Sequence, residues 1–260
     1  GGIVLIIVSI LVKNKISFKD IKSNLLLLLL SGGAIGLNWI FLFQAYKYTT
    51  ISNATLSYYF APVFVMLLSP VILKEKLTAK KIFCVVCAML GMICIVGNSN
   101  GGVEGRNDFL GIVYGLTAAA FYASVILMNK FLKNLKSLET TYIQLILAAV
   151  VLMPYVFTVE GFNIFRIPIS SIPYILILGM VHTGLAYLLY FSSLKELKGQ
   201  TIAVMSYIDP ISAVIISAIF LREKMGLLQI VGGILILGST LISELTKNKG
   251  GINENFIYRK

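Results

Sequence analysis

Long apolar runs alternate with short polar loops along the whole chain. Full-length runs cover about 24–46, 51–73, 82–97 (short, extendable at its start), 110–132, 140–159, 172–194, 202–221 and 226–245, and a partial run covers 1–12. Roughly 20 apolar residues cross the ~30 Å hydrocarbon layer as a helix. The pattern therefore predicts an all-α integral membrane protein with eight complete spans and part of another. No run alternates with a period of two, which argues against an outer-membrane barrel. Loops such as KNKISFKDIK (13–22) and NSNGGVEGRND (98–108) are too short to hold a separate soluble domain.

The chain repeats itself at an offset of 148 positions without gaps. LNWIFLFQAYK (37–47) lies over LAYLLYFSSLK (185–195), and YFAPVFVMLLSPVILKEKL (59–77) over YIDPISAVIISAIFLREKM (207–225). Tyr59 and Tyr207, Pro62 and Pro210, Ser69 and Ser217, Glu75 and Glu223, and Lys76 and Lys224 all coincide. Matched Leu and Ile mean little in so apolar a chain, but a mid-helix proline and a terminal Glu-Lys pair in one register mean more. The offset predicts a first repeat over 1–98, a second over 99–245 and a polar cytoplasmic tail over 246–260. It also places the start of the first repeat about 38 positions ahead of Gly1. Ten helices, five per repeat, are then expected in the intact protein, with about nine here and the first missing; the absent initiator methionine agrees.

Composition excludes a soluble globular enzyme. Apolar residues make up 58% and charged residues 13%, against about 45–50% and about 25% in soluble domains. The net charge of +11 would point to nucleic acid on a soluble protein, yet here the basic residues lie between spans. Loops 13–22, 74–81, 130–136 and 195–198 with the tail carry 17 Lys and Arg, whereas the alternate loops at Lys47, Arg106, Arg166 and 222–224 carry 5. The positive-inside rule assigns the first set to the cytoplasm. An odd number of spans per repeat makes the second enter the membrane from the opposite side, and the charge bias reverses between equivalent loops as that inversion requires. Cys84, Cys87 and Cys94 are an odd set within one apolar run, so no disulfide framework is expected.

Two five-helix repeats, each with a proline in its fourth helix and an L-x-E-K-[LM] ending (Leu73–Leu77 and Leu221–Met225), resemble the EamA-type members of the drug/metabolite transporter superfamily. The resemblance covers essentially the whole chain. It implies a metabolite exporter with a central cavity lined mainly by the first, third and fourth helices of each repeat, here 24–46, 51–73, 110–132, 172–194 and 202–221. Amino acids, nucleosides, sugars, organic cations and cofactors all occur as substrates in the family, so the resemblance gives a mechanism class rather than a substrate.

Asp209 is the one acidic residue placed deep in a span, where a carboxylate costs at least ~2.5–3.5 kcal/mol and is by default functional. His182, the only histidine, sits mid-span in the preceding helix, at a depth within ~5 Å of Asp209 by helical rise. Their first-repeat counterparts are Ala34 and Ala61, so symmetry does not demand either group. Asp209 with His182 is the candidate proton-coupling pair; a hydrogen bond that merely rigidifies the hairpin is the structural alternative. Asn38, Trp39, Tyr59, Tyr114, His182, Tyr187, Tyr207 and Asp209 form the candidate substrate-binding set, because aromatic faces and a few polar groups in an apolar pocket hold flat or amphipathic ligands. Tyr46, Tyr48 and Tyr174 are read as interfacial belt. Pro62 and Pro210 are candidate hinges. Gly32, Gly36, Gly111, Gly115 and the GGILILG run (232–238) are read as close-packing faces.

No phosphate-binding loop, zinc spacing or nucleophile elbow is present in the sequence, and no catalytic residue, metal or cofactor is expected. The expected function is a secondary active transporter exporting a small metabolite, such as an amino acid or related amphipathic compound, by alternating access. A facilitative carrier or an uptake system for nucleoside-, sugar- or cofactor-type metabolites is the alternative, and an intramembrane enzyme using Asp209 and His182 a distant one. The expected partners are a small-molecule substrate, membrane lipid and protons, not nucleic acid; the oligomeric state is open, a homodimer included. The expected location is the plasma membrane, the inner or cell membrane of a bacterium.

Overall fold

The computed structural model describes residues 18–74, 78–97, 107–135, 137–161, 168–185, 208–222 and 225–247. Every regular element among them is helical: α1 (Phe18–Ser23), α2 (Leu25–Tyr48), α3 (Ile51–Tyr58), α4 (Ala61–Ile72), α5 (Ala79–Gly97), α6 (Asp108–Asn129), α7 (Ser137–Glu160), a 3-10 turn (Ile169–Ser171), α8 (Ile172–Leu176) continuing in π-helical form over Ile177–Leu185, α9 (Ile208–Phe220) and α10 (Leu227–Lys247). Helices prevail because a segment in lipid must satisfy its backbone hydrogen bonds internally. Four are long and apolar enough to cross a bilayer: Leu25–Tyr48, Ile51–Ile72, Asp108–Asn129 and Glu139–Val159. The 24 residues of α2 rise about 36 Å. Large apolar side chains stay open on the surface, Leu26 at 70%, Phe83 at 68% and Ile219 at 65% exposure among them. Such a surface suits lipid rather than water, and the protein is an all-α membrane protein. The runs anticipated at 1–12, 186–194 and 202–207 lie outside the described residues.

Polar side chains fix several helix starts. Thr50 caps α3 by accepting from the Asn53 N–H at 3.2 Å, and Asn107 caps α6 through the Leu110 N–H at 3.1 Å. Gln229 reaches back from α10 to accept the Gly226 N–H at 2.7 Å. Each satisfies a backbone donor that has no partner within its own helix.

Several element bounds and turns lie 147 or 148 residues apart. α4 covers Ala61–Ile72 and α9 covers Ile208–Phe220; α5 begins at Ala79 and α10 at Leu227. The Leu73 N–H closes on the Ser69 carbonyl and the Leu221 N–H on that of Ser217. Lys74 and Arg222 then adopt the same left-handed backbone, at φ 54° and 55°, a conformation costly for residues with a Cβ and typical just past a helix end.

The chain divides into two compact units, Gly1–Phe41 with Ala120–Glu196 and Leu42–Ala119 with Leu197–Lys260. In the first, α7 packs along α2 through glycines: a Cβ on Gly32 would lie 2.5 Å from the Leu147 Cβ, and one on Gly36 2.9 Å from that of Val151. Gln144 donates to Ser31 Oγ at 2.7 Å and to Asn129 Oδ1 at 2.6 Å. Asn24 Nδ2 donates to the Lys133 carbonyl and its Oδ1 accepts the Lys133 N–H.

The second unit holds α3, α4, α5, the start of α6, α9 and α10 around a core that includes Leu56, Val63, Ile95, Ile112 and Ile236. α5 packs against α10 and α9 against α3. Contacts of Asn53 with Gln229, Leu56 with Gly233 and Met66 with Ser243 run upward together, so α10 is parallel to the α3–α4 span. Ser52 with Ser217 and Tyr59 with Asp209 run in opposite order, so α9 is antiparallel to it.

Candidate functional site

α3 carries its polar residues inward: Ser52, Asn53, Thr55 and Ser57 are all buried. The helix ends at Tyr58, and α4 resumes at Ala61 with Pro62 in its first turn. Pro62 has no N–H to offer the Tyr58 carbonyl, so a continuous helix cannot form there. Tighter bonds replace the regular ladder, from the Phe60 N–H to the Ser57 carbonyl and from the Val63 N–H to that of Phe60. The break turns Tyr59 toward α9, where its phenol donates to Asp209 Oδ2.

Asp209 stands in the first turn of α9, one residue before the buried Pro210. The Tyr58 ring meets that of Tyr59 edge-on at 5.9 Å. Tyr46 bonds the Thr55 side chain and lies within electrostatic reach of Asp209. The carboxylate is thus set among tyrosines while its own side chain remains exposed. Such a group can exchange a proton or face a cationic group of a ligand.

A hydrogen-bonded chain runs through the same unit. Thr49 Oγ1 donates to Asp108 Oδ1 at 2.8 Å, Asn53 Nδ2 donates to Thr49 at 3.3 Å, and Gln229 Nε2 donates to Asn53 Oδ1 at 3.1 Å. Asp108 sits at a helix start, as expected of acids other than Asp209, yet only 5% of it is exposed.

The predicted site residues are distributed over both units. Tyr59 and Asp209 meet directly. Tyr114 lies in the same unit and packs its ring against Tyr48 at 5.5 Å. Asn38 and Trp39 belong to the other unit, where Asn38 is buried and Trp39 packs against Tyr142 and Leu145. The backbone of His182 lies in the π-helical stretch, a form frequent at functional sites; its side chain, and all of Tyr187 and Tyr207, lie outside the described residues.

The sequence reading missed two tyrosines. Tyr46, assigned to the belt, is near Asp209 instead. Tyr142 is 6% exposed, and its hydroxyl has no hydrogen-bond partner among the described residues. Its place near the start of a span is what a belt residue also shows, so periodicity carried no signal. A buried hydroxyl without a partner costs about 1–3 kcal/mol.

The EamA-like transporter family model matches residues 1–97 and 109–244. The uncharacterized transporter YxxF of Bacillus subtilis (strain 168) is 30% identical over 234 residues, covering 89% of this chain and 73% of that relative. An uncharacterized transporter of Archaeoglobus fulgidus is 26% identical over 200 residues, covering 76% of this chain and 69% of the relative. YvbV of B. subtilis, also an uncharacterized transporter, is 25% identical over 268 residues, covering 98% and 84%. One crystal structure superimposes with a TM-score of 0.59 at 18% identity, over 95% of this chain and 84% of that one, a likeness of fold. With lipid-facing helices, inward-facing polar residues and a family match across both halves, the chain belongs to the EamA-like transporter family and is a membrane transporter.

Proposed function

We propose that the protein is a secondary active transporter of the plasma membrane that exports a small metabolite, an amino acid or related amphipathic compound, in exchange for protons. Alternating access proceeds between two inverted repeats, 1–98 and 99–245, with the tail over 246–260 in the cytoplasm. The observation that carries this reading is the contact of Tyr59 with Asp209. It joins the two segments that precede Pro62 and Pro210, the points where a helix can flex. A change of bend at either proline alters that contact, so proton occupancy of Asp209 and the state of the site are linked.

Support for inversion comes from the recurrence of α4 and α5 as α9 and α10 and from the antiparallel course of α9 past the α3–α4 span. Inverted repeats give inward- and outward-open states of similar energy, which suits carriage in either direction. His182 is the second proton-handling group. Asn38, Trp39, Tyr114, Tyr187 and Tyr207 supply stacking and hydrogen bonds to the substrate.

Metabolite profiling tests the reading and its direction together. Cells without the protein should retain one metabolite, and overproducing cells should enrich the same compound in the medium. Unchanged pools in both strains would count against export. Topology is tested by single cysteines probed with an impermeant reagent: positions 106 and 166 should label from outside and position 80 should not. The opposite pattern would overturn the assigned orientation.

A further inference from the structure

Within the second unit α3 is held by unequal contacts. Towards α6, Thr49 donates to the buried Asp108 carboxylate at 2.8 Å, and a Cβ on Gly115 would lie 2.8 Å from that of Ser57. Towards α10, Gln229 donates to Asn53 at 3.1 Å, and a Cβ on Gly233 would lie 3.2 Å from the Leu56 Cδ1. Parting these helices takes a donor from a buried charge and opens close backbone packing, and both are costly. Towards α9 the contact is of another kind. The hydroxyls of Ser52 and Ser217, both buried, stand 3.0 Å apart. A neutral hydroxyl pair is a weaker tie than one made to a charge. Ser217 can also turn to the Ala213 carbonyl of its own helix when the pair separates, so opening strands no polar group on α9. Ser52 to Ser57 of α3 are all buried, whereas of the 13 residues of α9 Pro210 and Ser217 are. The α3–α9 seam is the one that parts most easily.

We propose that α9 is a gate helix, latched to α3 by the Ser52–Ser217 hydroxyls, and that this latch releases together with the Tyr59–Asp209 contact. Asp209 and Ser217 lie on one helix, about 12 Å apart by helical rise. Pro210 is in the first turn, where it costs no ladder bond, so α9 moves as a stiff rod between the two contacts. Loss of the Tyr59 contact frees one end of the rod and throws its load on the weak hydroxyl pair at the other. α3, α6 and α10 stay together while α9 moves. The transport reading gives this movement its use, but the movement itself is measured without a substrate.

Ser217→Cys in a chain whose Cys84, Cys87 and Cys94 are alanine gives a single thiol. A water-soluble maleimide probes it in the purified full chain in lipid nanodiscs, where both faces are open to the reagent. The thiol should react at least about ten-fold more slowly than one placed at Arg222, as a closed latch requires. Tyr59→Phe keeps the ring and removes the hydroxyl; it should speed the reaction about five-fold, the size of one hydrogen bond lost. A thiol at Ile95, in the core beside α10, should stay unreactive in both backgrounds, which separates release of α9 from general loosening. Ser52→Cys combined with Ser217→Cys supplies the functional arm: counterflow of the metabolite found by profiling should stop when the pair is oxidised to a disulfide and return on reduction. Unchanged Ser217→Cys reactivity in Tyr59→Phe, or full counterflow through the disulfide-linked form, would overturn the proposal. Absence of counterflow from the wild type and the reduced pair alike would instead remove the transport reading, and the labelling rates would still decide whether α9 is latched.

Discussion

Asp209→Asn should reduce proton-driven uphill accumulation of the substrate to the level of empty liposomes, while exchange between equal pools survives. The amide cannot take up and release a proton, so it fixes the site in an imitation of the protonated state. Its oxygen still accepts from the Tyr59 phenol, the partner of the native carboxylate. The side chain is exposed within the protein, so the change removes a charge without opening a cavity. Replacing a charge-assisted hydrogen bond by a neutral one costs about 1 kcal/mol, too little to unfold a domain. Melting temperature in detergent checks the folding arm, and tracer uptake with and without an imposed pH difference checks the coupling arm. If the variant accumulates substrate at the normal rate with an unchanged pH profile, Asp209 is structural. A facilitative carrier driven by the metabolite's own gradient then becomes the better description.

Gly232→Ala should destabilise the second unit by about 1–3 kcal/mol, as overpacking of a closed core does. A Cβ there would lie 2.5 Å from the Gly91 carbonyl oxygen, and one on Gly91 2.6 Å from that of Gly232. Backbone atoms cannot rotate aside as a side-chain tip can, so α5 and α10 must move apart. Gly238, in the same GGILILG run, has nothing within 4 Å of its Cβ direction. Gly238→Ala should therefore be neutral or gain up to about 1 kcal/mol from helix propensity. Thermal unfolding in detergent separates the two variants, and equal losses would contradict the packing described for α5 on α10.

The spans were legible because lipid imposes a length, and the break before Pro62 because proline interrupts a ladder at a known place. That α4 and α9 each carry a proline in the first turn was legible because the two prolines stand 148 positions apart. Which side of each helix faces inward was not. α2 is apolar nearly all round, as lipid allows, so no polar face announces its rotation. Contacts such as Asn53 with Gln229, or Thr49 with Asp108, depend on that rotation and on tertiary register. Asp209 stood out because a charge is expensive in a span; the side chain of His182, the neighbour expected for it, lies outside the described residues, and nothing in the sequence pointed to the Tyr59 contact. Tyr46 and Tyr142 were hidden for a different reason. A tyrosine near a span end looks the same in sequence whether its hydroxyl meets headgroups or turns inward.

The proposed function requires that this chain carry a small molecule across a membrane by alternating access. Counterflow in liposomes reconstituted with the protein tests it most directly: vesicles are loaded with the unlabelled metabolite that profiling identifies, and a trace of labelled compound is added outside. Label should accumulate transiently above equilibrium, and protein-free vesicles should show no such overshoot. No overshoot in vesicles with correctly folded protein would contradict the proposed function.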